Sequence, residues 1–270
     1  MEEQRAGASQ TPALVEAAPV YYLSLGDSLA VGVQPIGVEE RQFRTDEGYA
    51  DQLGAIARLK LPNLRTVKLG CPGESTTTMI EGGLTTYPHG SQLDEAVVFL
   101  RGHRGEVAFV TIDVGQNDMP DYALEAIPAG IASIGRNLPG ILARLQEAAG
   151  PGTPIVGMTI YDAFLPRWLE GPLGEAMARI SVWEAVVPIN AFFRETYRAA
   201  GLSTADVEGA FATTDFETTV ELAGKGSVPL NVARACEWTW GAEPPPLGPD
   251  LHANALGYRA IAEAFARILL

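Results

Sequence analysis

Short apolar runs of strand length alternate along this chain with longer stretches of helical periodicity. Val20-Tyr21-Tyr22-Leu23-Ser24-Leu25 is largely apolar and stops at Gly26-Asp27, which predicts a buried strand ended by a turn. Residues 48–60 carry apolar side chains at helical spacing, and residues 63–70 read as a second strand. A helix is predicted over 90–103, with Ser91 placed to cap its N-terminus. The continuous, β-branched run at 106–115 is the clearest strand. Residues 127–150 are helical with Pro139 inside the pattern, which predicts a kink or two abutting helices. A fourth strand follows at 154–160. A long amphipathic region at 174–201 is expected to break near Pro188, ahead of a short strand at 202–207. An amphipathic helix at 254–270 ends the chain.

Strand and helix in repeated alternation is the pattern of a parallel sheet covered on both faces. The expected fold is α/β: a three-layer α/β/α sandwich with a flavodoxin-like, doubly wound sheet. Residues 19–270 are expected to form one domain, and the polar, Ala-rich segment 1–18 a flexible or surface-laid arm. Sites in such sheets form where loops leave the carboxyl ends of the strands.

Composition narrows the function. Hydrophobic residues make up 47% of 270, and the formal net charge is −14. That much negative charge opposes a nucleic-acid partner and docking on anionic membranes through a basic patch. No apolar run approaches the roughly 20 residues that span a bilayer. The first residues hold acids at positions 2 and 3 and no apolar h-region, so they do not read as a signal peptide. The chain is then either cytosolic or the product of signal removal. Two cysteines, Cys71 and Cys236, make no C-x-x-C pair; a single long-range bridge or two isolated thiols both fit. Three histidines without H-x-H or H-E-x-x-H spacing do not suggest a metal site.

The loops after the strands hold the chemistry. Gly26-Asp27-Ser28-Leu29 follows the first strand, Gly70-Cys71-Pro72-Gly73-Glu74-Ser75 the second, and Gly115-Gln116-Asn117-Asp118 the third; Asp250-Leu251-His252 precedes the last helix. Singly, each reads as a turn or a helix cap. Together they meet the specification for acyl transfer: a nucleophile, a base, a group that orients the base, and oxyanion donors. Ser28 is the nucleophile candidate, with its N–H expected at the start of a helix, where an anion is welcome. Gly73 offers an unhindered N–H and Asn117 a side-chain amide. His252 is the candidate base.

These four blocks, in this order, resemble the GDSL esterase/lipase family, also called SGNH hydrolases, over residues 20–270. Ser28, Gly73, Asn117 and His252 match its four signature residue types. The resemblance implies a serine esterase or lipase that needs no cofactor and acts on a small-molecule ester. It also covers carbohydrate O-acetylesterases, lysophospholipases and thioesterases, and its many secreted members tilt the compartment towards secretion with a signal removed. Two departures stand out. Ala253 replaces the proline common after the histidine. The family's D-x-x-H becomes D-x-H, with Pro249 where the Asp belongs and Asp250 one residue later. Asp250 is the candidate orienter, a nearby backbone carbonyl being the alternative.

His89 and His103 read as surface residues. Asp113, placed inside the third strand, needs buried partners and serves either the oxyanion loop or a satisfied structural role. Residues 161–169, with Tyr161, Phe164, Leu165, Trp168 and Leu169, serve either as packing or as an apolar wall for an acyl chain. Trp238 and Trp240, in the Pro-rich loop 236–250, either line the site or pin the loop. An ordinary α/β-hydrolase is disfavoured, because Ser28 follows the first strand and Ala30 replaces the second elbow glycine. A non-catalytic binding protein on a decayed scaffold is the remaining alternative. The sequence sets no oligomeric state.

Overall fold

The computed structural model describes residues 18, 20–35, 43–119 and 124–270. The arm expected over 1–18 lies outside them, except for Ala18, whose carbonyl accepts a hydrogen bond from Asn63 Nδ2 at 2.8 Å.

Five strands form the central sheet: β1 Val20–Leu25, β2 Leu64–Lys68, β3 Val107–Ile112, β4 Ile155–Met158 and β5 Ser203–Ala205. All pair in parallel, in the order β2-β1-β3-β4-β5. The chain moves from β1 outward to the edge at β2, then returns across β1 to β3. Strand order therefore reverses between β1 and β3, and the loops leaving their carboxyl ends open a crevice there.

Helices cover both faces: α1 Tyr49–Ala57, α2 Thr76–Glu81, α3 Gln92–Gly102, α4 Ile127–Ala149, α5 Pro172–Ile180, α6 Val187–Ala199, α7 Val207–Ala210, α8 Leu230–Trp238 and α9 Ala255–Leu269. The two-residue period of β1 sorts its side chains between the layers. Leu23 and Leu25 join Val110 and Ile112 against Leu93 and Leu100 of α3, Ile134 and Leu138 of α4, and Phe193 of α6. Tyr22 joins Phe109, Val156 and Met158 on the other face, against Leu53 of α1 and Ile261 and Phe265 of α9. A third core joins Leu165, Ala178, Val182, Phe216 and Val232 beneath a hairpin formed by Thr219–Leu222 and Gly226–Pro229.

Most expected elements occur within a few residues of their bounds. Ser91 caps α3, its Oγ accepting from the Asp94 N–H at 3.1 Å. Three expectations need correction. Residues 127–149 form one helix, not two abutting ones. Pro139 lies on its exposed side, where the carbonyl left without a partner can face water, while Ile134, Leu138, Ile141, Leu142 and Leu145 hold both halves on one core. The break expected near Pro188 is a π-helical turn at Ser181–Val186, with Pro188 in the first turn of α6. No helix follows Ser28: residues 28–32 are turns, closed by Val33 N–H donating to the Ser28 carbonyl at 3.0 Å. The short helices α2 and α8 and the hairpin were not expected. Cys71 and Cys236 are free thiols. Among the described residues no helix is long and apolar enough to cross a membrane.

Candidate active site

The four loops converge on one cavity of about 770 Å³, lined by Ser28, Gly73, Asn117, Asp250 and His252 together. It opens at the carboxyl ends of β1 and β3, where the strand order reverses.

Ser28 sits just past β1 because the backbone must turn sharply at Gly26. Gly26 has φ +133°, and a Cβ there would lie 1.3 Å from Asp113 Oδ1. Only glycine fits this position. Gln92, at the N-terminus of α3, holds the turn from across the sheet. Its Oε1 accepts the Gly26 N–H at 2.7 Å, and its Nε2 donates to the Gly26 carbonyl at 2.9 Å and to Glu74 Oε2 at 2.8 Å. Asp113 lies one residue past β3 rather than inside it, and its Oδ1 accepts the Asp27 N–H at 3.0 Å.

Gly73 lies in the turn after β2 with φ +81°. Neither the Ser28 N–H nor the Gly73 N–H donates to a protein acceptor among the described residues. Asn117 sits in the single turn after β3, and its Nδ2 donates to the Glu74 carbonyl at 3.0 Å and to Asp27 Oδ2 at 3.3 Å. Asp118, next along, receives the Thr76 N–H at 2.7 Å and the Ser133 hydroxyl at 2.7 Å. These contacts tie the Asn117 turn to α2 and α4.

His252 is held by the loop that precedes α9. Asp250 Oδ1 lies 2.6 Å from His252 Nδ1 and accepts the His252 N–H at 2.9 Å. The flanking backbone is clasped: Trp240 N–H donates to the His252 carbonyl at 3.0 Å, and Asp250 N–H to the Trp240 carbonyl at 3.1 Å. Tyr161 donates its hydroxyl to the Leu251 carbonyl at 2.9 Å. Both tryptophans pin this loop rather than line the cavity. Trp238 stands edge-on to Phe211, and Trp240 Nε1 donates to Gln34 Oε1 at 3.3 Å. The D-x-H spacing thus brings the carboxylate to the imidazole through a tight Asx turn.

Three carboxyl groups crowd beneath Ser28. Burial pushes Asp27 up to about 7, and Glu74 adds to the rise; the Leu29 N–H, the His252 ring and the Ser28 hydroxyl pull the other way. Burial and the neighbouring Asp27 raise Asp113 well above the usual carboxylate range. Glu74 is also raised by burial. Sequence reasoning passed over Asp27, Glu74 and Gln92; the polar Gln92 at the head of an otherwise apolar helix face was the available signal.

The rest of the cavity is mainly apolar, with walls that include Met119, Ile127, Ile160, Met177, Val186 and Ile189. Of the segment 161–169, Tyr161, Asp162, Ala163, Phe164 and Arg167 line the cavity. Leu165 and Trp168 pack into the third core instead, Trp168 stacking on Phe216 at 5.7 Å. His89 pairs with Glu95 at the surface, and His103, at the C-terminus of α3, stacks on Phe99. Among the described residues no cluster of three His, Cys, Asp or Glu could hold a metal ion.

A family model described as GDSL-like Lipase/Acylhydrolase matches residues 24–260. Solved structures share the fold at low identity. An extracellular lipase from Streptomyces rimosus aligns over 92% of this chain and 99% of its own, at 19% identity and a TM-score of 0.57. The acetylxylan esterase Axe2 from Geobacillus stearothermophilus aligns over 93% and 94%, at 13% identity and a TM-score of 0.53. None of the curated proteins matches the chain by sequence.

Proposed function

Because the chain belongs to the GDSL-like lipase/acylhydrolase family, it is a carboxylic ester hydrolase, and we propose that it works through an acyl-enzyme on Ser28. The observation that carries this reading is the shared cavity, which gathers a serine hydroxyl, a carboxylate-paired imidazole and backbone donors that have no protein acceptor among the described residues.

Asp250 at Nδ1 fixes the tautomer of His252 that leaves Nε2 to accept the Ser28 proton. Ser28 Oγ then adds to the ester carbonyl carbon, and the carbonyl oxygen becomes an oxyanion. The N–H groups of Ser28 and Gly73 receive it. Asn117 Nδ2 supplies a third donor when its 3.3 Å contact with Asp27 yields to the stronger acceptor. His252 passes its proton to the leaving alcohol, and the tetrahedral species collapses to the acyl-Ser28 ester. Water, deprotonated by His252, attacks that ester; the acid leaves and the proton returns to Ser28.

The apolar walls favour an ester with a hydrocarbon acyl chain over a sugar acetate. The test is hydrolysis of p-nitrophenyl acetate, butyrate and octanoate by the wild type and Ser28→Ala, with phosphonate labelling in parallel. Turnover and labelling should both vanish in Ser28→Ala, and the longer chains should be preferred by the wild type. A sharp acetate preference would move the reading to a carbohydrate O-acetylesterase. Undiminished labelling of Ser28→Ala would remove Ser28 as the nucleophile.

A further inference from the structure

The outer face of α5 is apolar although it faces solvent. Leu173, Met177 and Ile180 are 75%, 39% and 44% exposed. Their spacing of four and three residues places them on one side of the helix, with exposed Ala176 beside them. The buried side of the same helix is formed by Gly174 and Ala178. Leu124, 44% exposed, extends the patch, because the turn Leu124–Ala126 packs against the π-helical turn that follows α5. An apolar face turned to water marks a surface that something covers.

The patch continues into the substrate cavity. Met177, Ile180 and Leu124 are exposed and also line its wall. Anything seated on the stripe therefore sits at the cavity mouth. A folded protein there would close the mouth, whereas a layer of ester molecules would supply it. The net charge of −14 repels an anionic layer, so an uncharged layer is favoured over an anionic one.

We propose that Leu173, Met177 and Ile180 seat the enzyme on an uncharged lipid–water interface, from which an ester passes directly into the cavity. This rests on the chain being an ester hydrolase. It gives α5 a part in substrate delivery that the chemical steps on Ser28 do not require.

The test uses Leu173→Glu combined with Ala176→Glu. Neither residue lines the cavity, and both are exposed helix positions that accept glutamate. Wild type and Ser28→Ala should co-float with phosphatidylcholine vesicles, and doping with phosphatidylglycerol should weaken the association. The double variant should bind roughly tenfold more weakly or worse, since it loses a leucine that the lipid layer would bury and places charge at the interface. It should keep wild-type turnover of a dissolved short-chain ester and lose turnover of an emulsified long-chain one. Absent flotation of the wild type, or equal flotation of the double variant, would overturn the proposal. So would a wild-type dimer in lipid-free sedimentation that the double variant abolishes, which would assign the stripe to a second copy. Because Ser28→Ala tests binding without catalysis, flotation without hydrolysis would leave the surface standing and remove the function reading alone.

Discussion

Asp250 touches His252 twice through one oxygen: Oδ1 meets ring Nδ1 at 2.6 Å and the backbone N–H at 2.9 Å. A two-residue separation achieves this because the carboxylate folds back over its own turn. The oxygen fixes both the loop conformation and the ring that the loop carries.

The double contact makes Asp250→Asn informative. Asparagine can keep the backbone bond through its side-chain oxygen but cannot stabilise an imidazolium. We expect kcat to fall by about 10³ to 10⁴, with KM little changed. Asp250→Ala also loses the Asx turn and should lower Tm as well. Steady-state kinetics with a thermal melt separates the two effects. A loss below tenfold in both variants would give the orienting role to another group.

The glycines of the site should differ sharply in their tolerance. Gly26→Ala drives a methyl group into Asp113 Oδ1, 1.3 Å from the new Cβ, at a backbone φ of +133°. We expect a loss above roughly 3 kcal/mol, or no soluble protein. Gly73 has φ +81°, but its added Cβ would meet nothing closer than Leu84 Cδ1 at 3.9 Å. Gly73→Ala should cost only about 1–2 kcal/mol, the backbone penalty alone. Urea denaturation of both variants measures the gap, and equal losses would contradict this account.

Gln92 offers a third test, because it supplies partners to groups that water does not reach. Gln92→Leu strands the Gly26 N–H, leaves the Gly26 carbonyl with the Cys71 N–H at 3.1 Å alone, and takes a donor from Glu74. Each buried polar group left alone costs about 1–3 kcal/mol. The variant should therefore melt well below the wild type. It should also lose activity, since the turn that presents Ser28 loses its support. A Gln92→Leu protein as stable as the wild type would mean that water replaces the amide.

These residues show what the sequence can and cannot reveal. That Ser28, Gly73, Asn117 and His252 would meet in one cavity was legible, because each follows a strand end or precedes a helix that hydrophobic periodicity marks and the four blocks resemble a known family in their order. The parallel sheet was legible for the same reason. Gln92 and Asp113 were not legible as supports of the Ser28 turn. Their partners lie 66 and 86 residues away in the chain, and only the sheet topology brings them together. The segment after Ser28 forms turns where a helix is expected, and Leu29, Ala30 and Val31 are apolar in a row without a helical period. They are buried by tertiary packing rather than by a helix face. The exposed stripe of α5 was hidden in a region that reads simply as amphipathic, since periodicity marks an apolar face without saying what covers it.

The buried carboxyl groups set the direction of the pH dependence of stability. Burial raises Asp27 from 3.8 to about 7 and Asp162 from 3.8 to about 6. In the unfolded chain both groups return to ordinary values, so between about 4 and 7 the native state binds more protons than the unfolded one. Stability from these groups is complete below the unfolded value and is lost as pH rises through the folded one. Asp162 isolates the effect: it lines the apolar part of the cavity, and its Oδ2 has no hydrogen-bond partner among the described residues. Asp162→Asn removes the ionisation while keeping the shape and the acceptor for the Phe164 N–H, which Oδ1 now holds at 2.7 Å. We expect Asp162→Asn to melt above the wild type at about pH 8, by roughly half that margin at about pH 5, and close to it only below about pH 4. Thermal denaturation of both proteins across that range measures the difference. A variant destabilised most at high pH would reverse the sign and show that the ionised carboxylate has a partner in the native state.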